Sequence, residues 1–128
     1  MKIVTIDGNN FKDLEGFYDE VNKKLCPGFK EFGRNLAAFN DVLRGGFNVF
    51  EYEENIQLIW INSAKSKDDL GYKAVVKYLK QVKKKAHPTN IQYIKSEIHD
   101  AKASKGPTLY DILVGIIGDN KHILFTAQ

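Results

Sequence analysis

Between Phe29 and Phe47 the chain reads FKEFGRNLAAFNDVLRGGF, and the chemistry of this stretch turns on one carboxylate. It opens in a Gly-containing loop, closes on Gly45-Gly46, and predicts a short helix between them. With about 3.6 residues per turn, Leu36, Phe39 and Leu43 share one side of that helix. Asp41 falls nearly opposite their centre, near Ala37, Ala38 and Arg34. Small residues around a single charge suit close approach by another molecule. The plain alternative is an amphipathic surface helix that happens to carry Asp41.

Other chemistry is poorly supplied. Asp7-Gly8-Asn9-Asn10 lacks both the glycine pattern and the lysine of a nucleotide-binding loop. No Cys/His spacing fits a zinc site. His87, His99 and His122 have no Ser, Cys or carboxylate partner placed by the pattern, so no catalytic set is expected. Cys26 is alone, cannot form an internal disulfide, and reads as a small buried hydrophobe. Glu51, Glu53 and Glu54 could hold a cation but read as a solvated acidic loop. No cofactor or metal is expected. Lys73, Lys77, Lys80 and Lys84 share one helix face, the best nucleic-acid signal in the chain. With no aromatic interleaved on that face, the pattern argues against nucleic acid and for a solvated surface.

The elements that must position these residues follow from periodicity. MKIVTI before Asp7-Gly8 predicts a first strand. Phe11, Leu14, Phe17, Val21 and Leu25 predict a helix capped by Asn10 and stopped by Pro27-Gly28. IQLIWI, Ile56 to Ile61, predicts a strand covered on both faces, or nearly so. One long helix is expected from Ser66 or Asp68 to about Ala86, ended by Pro88, and another from Asn90 to Ala103. Thr108 with Asp111 resembles a capping box for a fifth helix, and HILFTA, His122 to Ala127, predicts a third strand. The expected class is α/β: a small three-stranded parallel sheet packed with about five helices in a single domain spanning residues 1–128. The formal charge of +3 is uneven. Residues 1–62 hold 7 Lys/Arg and 10 Asp/Glu, whereas residues 63–106 hold 11 and 4. Partners of either sign could therefore be drawn to one region. No apolar run approaches the ~20 residues of a membrane span. With no signal-peptide pattern and a lone cysteine, a cytoplasmic location is expected.

Ile6-Asp7-Gly8, then a helix, then Phe32-Gly33-Arg34-Asn35-Leu36-Ala37-Ala38-Phe39-Asn40-Asp41, then Gly45 and an apolar strand around Trp60, resembles the barstar family of small cytoplasmic ribonuclease inhibitors. The family's recurring string of aromatic, Gly, Asn, Leu, Ala, aliphatic or aromatic and Asp is supplied by Phe32, Gly33, Asn35, Leu36, Ala38, Phe39 and Asp41. The resemblance covers residues 1–62 well and 107–127 loosely. It leaves the Lys-rich helical segment, about 64–106, longer than the namesake's corresponding region and unexplained. It implies a barstar-like fold and binding without catalysis, the helix and preceding loop plugging a nuclease active site. The carboxylate matching Asp41 stands where a substrate phosphate would sit. The surface so implied comprises Phe29, Phe32, Gly33, Arg34, Asn35, Ala37, Ala38, Asn40, Asp41, Arg44 and Gly46.

Departures from the family bear on the target. Ala37 stands where the namesake carries a second acid, and Asn40 where it carries an aromatic contact residue. Arg34 and Arg44 add positive charge beside Asp41, which should weaken attraction to a basic cleft. The expected partner is a ribonuclease or a related protein toxin, with an immunity role. The rival expectation is a non-catalytic module that binds an acidic protein or nucleic acid through the Lys-rich helix.

Overall fold

In the computed structural model, which describes all 128 residues, a parallel sheet is built from β1 (Lys2–Asp7), β2 (Ile56–Ile61) and β3 (Ile123–Ala127), with β2 central. Val4 pairs with Leu58 and Leu58 with Phe125, so the three strands run in register. Between them lie α1 (Leu14–Leu25), α2 (Leu36–Arg44), α3 (Ser63–Asp69), α4 (Tyr72–Lys85), α5 (Ile91–Lys102) and α6 (Leu109–Asp119). The fold is α/β, with six helices where about five are expected from the sequence.

The extra helix arises from a break in what the sequence presents as one. The Leu70 side chain is fully buried, and its carbonyl accepts the Tyr110 N–H at 2.8 Å instead of a bond from the next turn. Gly71 then restarts the chain as the N-cap of α4. The first helix also begins later than expected. Asp13, not Asn10, caps α1 by accepting the Gly16 N–H at 2.8 Å, and the Asn10 side chain donates instead to the buried Glu20 carboxylate. Thr108 and Asp111 form the full capping box of α6.

One face of the sheet meets the helices. Ile56, Leu58 and Trp60 are fully buried, with Phe17 stacked on Trp60 at 5.3 Å and Tyr110 edge-on to it at 5.1 Å. Gln57, Ile59 and Ile61 alternate with them and are only half-buried, and their register neighbours Ile3 and Leu124 are exposed. The β2 run is thus fully covered on one face and only partly buried on the other, with β1 and β3 paired along its two edges. Within α2 the inward stripe is Phe39, Val42 and Leu43, and Leu36, at the helix's first position, is half-buried. Cys26 is buried, which pushes its thiol pKa up.

Candidate functional site

The loop before α2 is tied to α1. The Asn22 side chain accepts the Phe32 N–H at 3.1 Å and donates to Glu31 at 3.1 Å. Phe32 is itself buried, its ring edge-on to Tyr18 at 5.6 Å. Arg34 clamps the same loop. It meets Glu15 Oε2 at 3.0 Å, the Glu15 carbonyl at 2.7 Å, Asp19 at 2.9 Å and Glu31 at 3.3 Å, and its guanidinium lies 5.6 Å from the Tyr18 ring centroid. Burial acts to lower the Arg34 pKa, but the hydrogen bonds to Glu15 and Asp19 outweigh it and the net shift is upward. The Tyr18 hydroxyl is pushed up to about 12, by burial first and by Tyr78 and Glu15 after it. Arg34 therefore does not sit against Asp41; three carboxylates surround its charge.

Asn35 starts α2 by accepting the Ala38 N–H at 2.8 Å, after its own N–H bonds the Gly33 carbonyl. This fixes the helix so that Phe39 meets Phe17 edge-on at 5.2 Å. Ala37, Asp41 and Arg44 then face solvent, with Ala38 and Asn40 half-buried. Asp41 forms neither an ion pair nor a side-chain hydrogen bond, and Arg44 has no ion-pair partner either. Asn40 is engaged inward, its Oδ1 accepting from Asn120 Nδ2 at 2.9 Å. His122 Nε2 lies 2.7 Å from the Leu43 carbonyl and, in the Nε2–H tautomer, donates to it. The end of α6 and the start of β3 thus hold α2 from behind.

Past α2 the chain reverses through Gly45 and Gly46, whose φ values are 83° and 95°. A Cβ on Gly45 would lie 2.5 Å from the Glu51 carbonyl oxygen and 2.6 Å from the Phe50 ring. The Glu53 N–H reaches back to the Arg44 carbonyl at 2.7 Å, and the Val49 N–H to that of Leu25 at 3.0 Å. The second bond ties the loop after α2 to the last residue of α1, from which the loop before α2 departs. Phe29 (49 % exposed), Phe47 (54 %) and Tyr52 (62 %) stand out from these two loops. Glu54 accepts the Glu51 N–H, which is the main cause of its lowered pKa, and it pairs with Lys2 at 3.4 Å. Glu51 and Glu53 are exposed without cationic partners.

The sequence-derived set therefore divides. Phe29, Gly33, Ala37, Asp41, Arg44 and Gly46 lie exposed on α2 and its two loops, and Ala38 is half-buried there. Phe32, Arg34, Asn35 and Asn40 have internal partners that position the surface. Phe47 and Tyr52 were missed: FNVFEYEE shows three aromatics, and only packing tells that Phe50 is the buried one. No group of three or more His, Cys, Asp and Glu side chains is placed to hold a metal ion.

A model of the Barstar family, described as "Barstar (barnase inhibitor)", matches residues 1–95. The chain belongs to the Barstar family. The match runs from β1 through α4 into the start of α5, so most of the Lys-rich segment lies inside the Barstar span. Residues 1–62, where the resemblance is clear, lie wholly inside the match, whereas α6 and β3, where it is loose, fall outside the matched residues. No individual curated protein matches the chain. No helix is long and apolar enough to cross a membrane.

Proposed function

We propose that this Barstar-family chain is an inhibitor, and an immunity protein in the cytoplasm, that binds and blocks a ribonuclease or a related protein toxin through α2 and its flanking loops. The observation that carries the reading is the unpaired Asp41 carboxylate on the exposed face of α2, flanked by Ala37 and Ala38. Small neighbours let a cleft close over the helix, and an unpaired carboxylate can stand in for a substrate phosphate among the cleft's cations. Phe29, Phe47 and Tyr52 supply aromatic area around it, the residue class that carries binding energy at interfaces. Glu51 and Glu53 extend the negative field, which steers a basic partner. Arg34 does not oppose this field, because Glu15, Asp19 and Glu31 surround it, and Arg44, exposed and unpaired three residues on, is the one cation beside Asp41 that does. The chain would act by occupying the site, with no catalysis of its own.

The test is capture of the target from cells that make this chain, followed by an RNA-cleavage assay on the captured protein. Stoichiometric loss of cleavage on adding the chain supports the reading. A captured nuclease that cleaves RNA at full rate with the chain bound would overturn it.

A further inference from the structure

We propose that the α4–α5 hairpin binds single-stranded nucleic acid through a lysine track along α4, independently of the α2 surface. Lys73, Lys77, Lys80 and Lys84 are all exposed and lie on one stripe about 16 Å long. The whole of α4 contains no Asp or Glu. Of the eleven lysines in residues 63–106, only Lys65 forms an ion pair, with Asp69. A merely solvated helix face usually mixes the two signs, and like charges three or four residues apart disfavour the helix. Lys73 adds to this, because it sits in the first turn, at the positive end of the helix dipole. Gly71 offers no side-chain acceptor to that end, and the first turn holds no acid. The arrangement is unfavourable for α4 alone and favourable when a run of phosphates lies along it.

An exposed aromatic stands on the neighbouring helix of the hairpin. Tyr93, in the first turn of α5, is 70 % exposed, at the end of the hairpin where Lys83, Lys84 and Lys85 close α4. At the other end of the hairpin lies an open groove of about 330 Å³, lined by Tyr72, Lys73, Val76, Ala101, Lys102 and Ser104. A basic track with a stacking group is what sequence-tolerant single-strand binding requires. A lipid surface is disfavoured because Val75 and Leu79, the apolar side of α4, are buried in the core and leave no face to insert.

The experiment is fluorescence anisotropy of a labelled oligouridine of about 12 nucleotides with the full chain, across salt. Three to four phosphate contacts give a log–log slope of about −2 to −3, so affinity should fall about 20- to 50-fold between roughly 50 and 200 mM salt. Lys77→Gln/Lys80→Gln/Lys84→Gln should flatten the slope by about 2. Tyr93→Ala should weaken binding by about fivefold or more at every salt concentration. Asp41→Ala should bind the oligonucleotide like the parent, which separates this surface from the inhibitor site. A flat salt response, or an unchanged slope in the triple variant with its circular dichroism intact, would overturn the proposal. Equal competition by polyglutamate, with no effect of Tyr93→Ala, would reassign the track to acidic protein and overturn it too.

Discussion

Replacing Asp41 by alanine should separate stability from binding. In the free chain the carboxylate is exposed and unpaired, so no contact is lost. It lies three residues before the end of α2, where the helix dipole disfavours a negative charge. The expected change in folding free energy is therefore within about 0.5 kcal/mol, in the stabilising direction, and the melting temperature should not fall by more than about 2 °C. Binding should respond differently. If Asp41 is desolvated among cations of the target, truncation leaves those cations unmatched at a cost of about 2–5 kcal/mol, a range to which barnase–barstar pairs themselves contribute. That is roughly a 30-fold to several-thousand-fold rise in Kd. Asp41→Asn should do nearly as much harm, because shape survives and charge does not. Isothermal titration calorimetry of both variants against the captured target, beside thermal denaturation, measures both quantities. Unchanged affinity in both variants would remove Asp41 from the interface, and with it the reasoning that places the inhibitor surface on α2.

Further outcomes follow from the same geometry. Gly45→Ala should destabilise the chain by more than about 1 kcal/mol in denaturant titration, because its φ of 83° disfavours a side chain and the new Cβ would meet the Glu51 carbonyl at 2.5 Å; an unchanged midpoint would show that the turn relaxes freely. Asp7 accepts from Asn62 Nδ2 and from the Asn9 N–H, and these bonds, that from Asn62 first, lower its pKa below the ordinary value of 3.8. A carboxylate with a lowered folded-state pKa stabilises above the unfolded value and loses that contribution as pH falls through the folded one. The stability advantage of the parent over Asp7→Asn should thus be full near neutrality and fade below about pH 3.8 in acid titrations followed by circular dichroism. Lys73→Glu/Lys77→Glu/Lys80→Glu should leave target binding within a few-fold, since those side chains lie on α4 and not on α2. A loss above about a hundredfold with the fold intact would move the inhibitor surface to α4.

Residues close in sequence determined a good deal of this protein. Short apolar, β-branched runs bounded by turn residues marked all three strands, and helical periodicity marked the place of α2, because one-sided burial repeats about every 3.6 residues in a helix. Thr108 with Asp111 was legible as a capping box because a cap is a bond across three residues, whereas the cap at Asn35 was shown only by the structure. The outward direction of Asp41 followed from the wheel alone. What the sequence could not supply were partners chosen by packing. Arg34 stands near Asp41 on a wheel, yet α1 brings Glu15 and Asp19 within 3.0 Å of it. The break between α3 and α4 depends on Tyr110 taking the Leu70 carbonyl, forty residues away. Asn40 looked like a contact residue, and Asn120 engages it from eighty residues along the chain. Phe47, Phe50 and Tyr52 are all aromatic, and the reversal at Gly45 decides that Phe50 rather than Phe47 fills the core while Phe47 and Tyr52 face outward. Periodicity reports which side of an element is buried; which atoms meet across elements depends on how the layers close, and that is where the charge left unpaired at Asp41 was decided.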